Sequence, residues 1–426
     1  MSSIPEELID DILSQLRVKP LLRFQCVSKS WNALIRRPDF IKKHLDRSIQ
    51  TNKERTLIVK ERDSDYLLNY FSVRLHDDGR FGRVVKIHPP LHDPDRFAQI
   101  SGCCNGLVFI HDLDAEIVIW NPSIKKYKKL PYEPSRPPSG FYKYSLPHLA
   151  FGHDPVNDDY KVLRVEEFLK LNPLSRAFEV NIYSLRAHSW RRVEDEWPYQ
   201  ESYISRCEMA LSSKSLNGAL HWLVTPLTEG ARLSRCEMAL SSKSLNGALH
   251  WLVTPLTEGA RLSPTIVAFD LANEKFRVFP QPVPLESLDR NVNMALEVLG
   301  GRMLLCVCVC ENASVGFNDV WVMKEYGVAS SWTWLYTIVG DELPWYFSYY
   351  KPLVISKDGN KVLMEQDREY LFWYDIRKKS GRRFNIRDML RNKSGRRDGF
   401  PSWFQTATCV GSLVLLHGFN ASSPLV

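Results

Sequence analysis

The chain has 426 residues, 44% hydrophobic and 25% charged, with a formal net charge of +7. That composition is globular with room for two or three domains, and the charge is too mild for a dedicated nucleic-acid binder. Its nine cysteines are odd in number and scattered, which argues against a disulfide framework and for a reducing compartment.

No apolar run approaches the ~20 residues that span a bilayer. The first residues read as an acidic amphipathic helix rather than a signal peptide. The expectation is a soluble protein of the cytoplasm, the nucleus or both. Twelve Trp, 17 Tyr and 20 Phe suit a β-rich chain.

Short helices come first. Ser3-Ile4-Pro5-Glu6 has the form of a capping box. Glu6, Glu7, Asp10 and Asp11 crowd the first turns, where the helix dipole favours negative charge. Leu8, Ile12, Leu13 and Leu16 then recur at helical spacing. Lys19-Pro20 is expected to break that helix, with Pro20 in the first turn of the next. Leu22, Cys26, Val27 and Trp31 form a second stripe, and Pro38 opens a short helix holding Phe40, Ile41 and Leu45. Forty-odd residues are too few to bury this much apolar surface alone. The stripes either pack on the rest of the chain or dock another protein.

The segment resembles a plant F-box. Ile4-Pro5 stands for the usual Leu-Pro, and Ile12-Leu13 for the Ile-Leu pair. Residues 23–31, Arg-Phe-Gln-Cys-Val-Ser-Lys-Ser-Trp, stand for the R-F-x-C-V-S-K-x-W signature. Arg17 sits where Pro is common and Pro20 where Ser is common, and neither removes an apolar anchor. The resemblance implies binding to a Skp-type adaptor of a cullin-based ubiquitin ligase. By motif match, Pro5, Leu8, Ile12, Leu13, Leu16, Leu22, Cys26, Val27 and Trp31 would carry that contact.

Residues 1–48 are therefore expected to form the helical domain and 49–420 a β domain, with a polar linker at about Asp46 to Arg55. Beyond it, runs rich in Val, Ile, Tyr, Phe and Trp alternate with Gly, Asn, Asp and Pro clusters. The units rhyme: Asn105-Gly106-Leu107 leads to Trp120-Asn121-Pro122; His153-Asp154-Pro155 leads to Ile182-Tyr183-Ser184-Leu185; Asn246-Gly247-Ala248 leads to Phe269-Asp270. Later units run from Gly300-Gly301 to Val320-Trp321 and from Asp358-Gly359 to Tyr374-Asp375. A spacing of roughly 45–60 residues falls near that of propeller blades. About six are expected, with a strand at Thr408–His417 pairing back onto the first unit. A two-sheet sandwich is the alternative fold.

Residues 55–418 resemble the F-box-associated, Kelch-like domain of plant F-box proteins, including the S-locus group. The matching pieces are Asn105-Gly106-Leu107, Trp120-Asn121-Pro122, Asn157-Asp158-Asp159-Tyr160-Lys161-Val162 and Ile182-Tyr183-Ser184-Leu185. The resemblance implies a domain that holds a target protein for ubiquitin transfer. The S-locus likeness raises a self-incompatibility ribonuclease as one such target.

Residues 205–233 recur without a change at 234–262. One blade needs one copy, so the other, the first, is expected as an inserted strand pair or bulging loop that leaves Trp222 poorly covered. A shorter echo, Lys379-Ser380-Gly381-Arg382-Arg383 against 393–397, reads as a solvated basic loop, as does Lys125–Lys129.

No catalytic constellation emerges. Cys306, Cys308 and Cys310 alternate onto one strand face, but no second cluster completes a tetrahedral site, so they read as core. Cys103 and Cys104 point to opposite faces. There is no H-E-x-x-H, G-x-S-x-G, Walker or dinucleotide motif. Asp158-Asp159 sits in turn sequence. The expectation is a non-catalytic receptor with no cofactor and no metal. Its partners would be a Skp-type adaptor, a cullin reached through it, and a target protein, with neither membrane nor nucleic acid. The rival is a β-propeller scaffold whose helices are only a packing arm.

Overall fold

A computed structural model describes residues 5–51, 55–62, 68–76, 80–91, 98–112, 116–143, 147–171, 174–196, 243–253, 256–257, 260–261, 265–282, 292–311, 314–339, 343, 350–366, 370–385, 404–416 and 420–421. Four helices lead: α1 (Glu6–Ser14), α2 (Val18–Phe24), α3 (Lys29–Arg36) and α4 (Pro38–Thr51). Ser3 of the expected capping box lies outside the described residues, and Pro5 stands at the N-cap of α1 with no side-chain bond.

The first helix breaks earlier than Lys19-Pro20. Arg17 is already extended, and Pro20 falls inside the first turn of α2. The N–H groups of a first turn have no intrahelical partner, so proline costs nothing there and the helix starts ahead of it. The expected linker from Asp46 is helical as far as Thr51. Phe40, His44, Leu45 and Ser48 are all buried, so one inward stripe continues past residue 46 and keeps the helix wound.

Among the described residues the strands build six sheets of four or five, the blade architecture of a β-propeller, rather than the two sheets of a sandwich. The first sheet holds β1 (Arg55–Arg62), β2 (Leu68–Leu75) and β3 (Phe81–Ile87). The second holds β4 (Gln99–Cys104), β5 (Leu107–His111), β6 (Ile117–Asn121) and β7 (Lys126–Lys129). The third holds β8 (Tyr142–Lys143), β9 (His148–Asp154), β10 (Asp159–Leu171), β11 (Leu174–Ser184) and β12 (Ser189–Arg192). The fourth holds β13 (Lys243–Leu245), β14 (Ala248–Val253), β17 (Thr265–Asp270) and β18 (Lys275–Phe279). The small hairpin β15 (Leu256–Thr257) and β16 (Ala260–Arg261) is inserted between β14 and β17. The fifth holds β19 (Val292–Leu299), β20 (Arg302–Glu311), β21 (Ser314–Met323) and β22 (Trp332–Val339). The sixth holds β23 (Tyr350–Ile355), β24 (Lys361–Gln366), β25 (Tyr370–Asp375) and β26 (Ser380–Asn385).

The returning strand β27 (Phe404–Val410) pairs beside β1, earlier than the expected Thr408–His417, and β28 (Asn420–Ala421) pairs with β7. Of the duplicated segment, the second copy supplies β13 to β16; the first copy lies outside the described residues, as do Trp222 and the echo at 393–397. The two basic runs expected as loops are largely strands β7 and β26. Tyr127 explains the first: it packs on the core while Lys129 stays exposed.

The chain forms two compact units, Met1–Tyr132 with Gln405–Val426, and Glu133–Phe404. In the second unit the cores lie between successive sheets. Val267 and Phe269 of β17 face one core, while Ile266 and Ala268 face the next. Leu305 and Val307 of β20 share that next core, while Leu304 and Cys306 face a further one. Strands buried on both faces read as continuous apolar runs, not as alternation.

The turns repeat. Asn121, Asp154, Asp270 and Asp375 each accept backbone N–H bonds from the following turn. Four residues beyond each, Lys125, Asp158, Glu274 and Lys379 adopt positive φ. A side-chain oxygen thus replaces a backbone partner and lets the chain reverse.

Candidate protein-docking surface

The four helices build one small core. Leu13 of α1, Val18 and Leu21 of α2, Leu34 and Ile35 of α3, and Phe40 and Leu45 of α4 are buried. Ser28 caps α3 by accepting from the Trp31 N–H at 3.1 Å. Trp31 then packs edge-on against Phe24 of α2, ring centroids 5.4 Å apart, which joins the two helices. His44 is buried, with its Nε2 at 2.9 Å from the Leu16 carbonyl, and burial lowers its pKa. Bonding to a carbonyl makes Nε2 the donor. Outside this core, Lys43 bridges to Asp10 and Asp11, and Arg37 to Glu6, tying α4 and its start to α1. Lys43 holds the Asp11 carboxyl below its usual range. Such exposed pairs contribute little individually.

The nine residues matched to the F-box signature divide. Leu8 and Ile12 are 53% and 55% exposed, and Val27 is 61% exposed. Pro5 and Cys26 are exposed as well. Leu16, Leu22 and Trp31 are half-buried against the helical core. Leu13, by contrast, is 2% exposed. It packs in the helical core with Val18, Leu21, Leu34, Ile35 and Phe40. The apolar positions of α1 thus serve two surfaces: Ile9 and Leu13 face inward, while Leu8 and Ile12 lie one turn apart facing outward. An outward apolar residue is suited to bury against a protein and carries no chemistry of its own.

Sequence reasoning passed over Val18, Leu21, Leu34, Ile35 and His44, although their helical spacing was available. It also passed over Ile124 and Leu413, which join the helical core from the turn after β6 and the segment after β27. No local pattern announces a partner so distant along the chain. Among the described residues no group of three His, Cys, Asp or Glu is placed to hold a metal, and no helix is long and apolar enough to cross a membrane. Cys306 is buried between the fifth and sixth sheets, while the side chains of Cys308 and Cys310 lie outside the described residues.

Residues 1–43 match the F-box domain, and residues 55–233 and 228–414 match F-box associated beta propeller domains. F-box protein CPR1 of Arabidopsis thaliana is 31% identical over 97% of this chain and 89% of its own length. F-box/kelch-repeat protein At3g23880 of the same plant is 30% identical over 85% of each. F-box protein At4g22390, also from Arabidopsis thaliana, is 27% identical over 89% of this chain and 85% of its own length. The chain belongs to the family of F-box proteins with an F-box-associated β-propeller domain.

Proposed function

We propose that this chain is the substrate receptor of a Skp–cullin–F-box ubiquitin ligase, acting in the cytoplasm, the nucleus or both. The observation that carries the reading is the outward exposure of Leu8 and Ile12 on α1 and of Val27 in the turn between α2 and α3, while Leu13, Leu21, Leu34 and Ile35 are buried in the helical core. Exposed apolar side chains of this kind gain by leaving water against a partner. Pro5, Cys26, Leu16, Leu22 and Trp31 extend the adaptor contact, and Leu13 supports it from within. The β domain holds the target protein, and a self-incompatibility ribonuclease is one candidate. The receptor does no bond chemistry. It acts by proximity, raising the effective concentration of a target lysine at the ubiquitin carrier.

The scaffold reading has one observation in its favour: the helices do pack on Ile124 and Leu413 of the β domain. It gives no use to the outward face, and it requires that no adaptor bind. Co-expression with a plant Skp-type adaptor, followed by size exclusion, separates the two. Co-elution that Ile12→Asp abolishes supports the receptor. A folded wild-type chain that elutes alone refutes it and leaves the scaffold.

A further inference from the structure

We infer that Leu413 is a positioning residue of the adaptor surface: the segment after the last long strand completes the helical module, and only when it is seated are Leu8, Ile12 and Val27 held in place. The inference rests on the receptor reading above.

Residues 411–416 have no regular structure, yet 411–414 are buried. Buried irregular backbone needs partners for its polar groups. The turn after β6 supplies them. Asn121 Nδ2 donates to the carbonyls of Ser412 and Val414, and the Ser412 N–H donates to Ser123 Oγ at 3.3 Å. Gly106 closes the other side: a Cβ there would lie 2.2 Å from the Cβ of Ser412. Leu413 stands between the two clamped carbonyls and joins the core made by Leu13, Val18, Leu21, Leu34, Ile35 and Phe40. Its neighbour Leu415 is exposed, so the docking is particular to Leu413.

Every helix of the module contributes to the core that Leu413 enters, and the module is too small to bury its apolar surface alone. The arrangement of α1, α2 and α3, which places the outward residues, therefore depends on a side chain delivered by the strand that completes the first sheet. Docking of β27 and capture of the adaptor are thermodynamically linked. A chain whose β27 has not docked offers no ordered adaptor surface, so the ligase is recruited only by a receptor with its first sheet complete.

The test uses the full-length chain with Leu413→Asp, Leu413→Ala and Leu413→Met. Adaptor affinity is read by titration, and hydrogen exchange is followed in α1, α3 and, as an internal reference, β10–β11. A buried charge in Leu413→Asp is expected to weaken adaptor binding by about tenfold or more. Leu413→Ala is expected to fall between, and to carry the comparison if the aspartate variant does not fold. Leu413→Met, which keeps volume and apolarity, should restore binding to within about threefold of wild type. Exchange in α1 and α3 should rise in the aspartate and alanine variants while β10–β11 is unchanged. Wild-type affinity in the aspartate and alanine variants, with or without faster exchange, would overturn this inference alone. Absence of binding by the wild type would overturn the receptor reading with it.

Discussion

The side-chain amide of Asn121 donates to the Val414 carbonyl at 2.9 Å across 293 residues of chain, and to the Ser412 carbonyl at 3.1 Å. Its oxygen meanwhile accepts the Ser123 N–H at 2.9 Å. One side chain thus shapes a turn and clamps the returning segment. Replacing Asn121 with Leu keeps the volume but leaves two buried carbonyls short of a donor. The expected loss is about 1–3 kcal/mol of unfolding free energy, measured by urea denaturation. Wild-type stability would show that the clamp contributes nothing.

Gly106 and Gly301 separate two reasons for glycine. Both have positive φ, +77° and +72°. A Cβ on Gly301 meets nothing within 4 Å, so Gly301→Ala is expected to cost only the left-handed strain of about 1–2 kcal/mol. A Cβ on Gly106 would overlap Ser412 and approach the Val410 carbonyl to 2.8 Å. Gly106→Ala should therefore lower the melting temperature clearly more than Gly301→Ala. Equal shifts would mean that the Ser412 segment yields freely.

In the second unit, Lys161 links two sheets. Its Nζ lies 2.9 Å from the fully buried Asp154 carboxylate, 2.5 Å from the Leu271 carbonyl and 3.2 Å from Glu274. Lys161→Met leaves Asp154 buried without its cation, and a loss of about 3–5 kcal/mol is expected. Adding Asp154→Asn should recover part of that loss, as a double-mutant cycle would read out. A double variant no better than the single one would show that Asp154 does not depend on the lysine.

Three histidines make stability pH-dependent: His44 is buried, and His111 and His148 are half-buried. Burial pushes His111 and His148 down to about 4, and lowers His44 from its ordinary 6.5. Each is neutral when folded, whereas the unfolded chain takes up the proton near pH 6.5. The unfolded state therefore binds more protons below that pH, and stability falls as pH drops from about 6.5 toward about 4. Denaturation midpoints across that window check this. His148→Phe, which cannot titrate, should flatten the slope, and an unchanged slope would remove His148 from the account.

The helices were legible because proline and apolar spacing act over a few residues: Pro20 and Pro38 sit in first turns. The sheets were legible as repeats because Asn-Gly turns occur at 105–106 and 246–247 and an Asn or Asp closes β6, β17 and β25. The end of α4 was not, since what keeps Asp46–Thr51 helical is burial of Ser48 rather than propensity. Residues at positive φ such as Lys125 and Lys379 were not, because the side-chain acceptor four positions earlier sets that geometry. The division of Ile12 from Leu13 was also hidden. Both are apolar and adjacent, and only packing against the other helices and Leu413 decides which faces inward.

On the receptor reading, the outward face of the helical module, and not its core, is expected to capture the adaptor. The most direct measurement titrates a plant Skp-type adaptor into the full-length chain carrying Leu8→Asp, Ile12→Asp or Val27→Asp, with a melting curve for each. The expected result is loss of adaptor binding with melting temperature little changed, since all three side chains are more than half exposed in the free chain. Adaptor binding that survives all three substitutions would show that this face does not capture the adaptor.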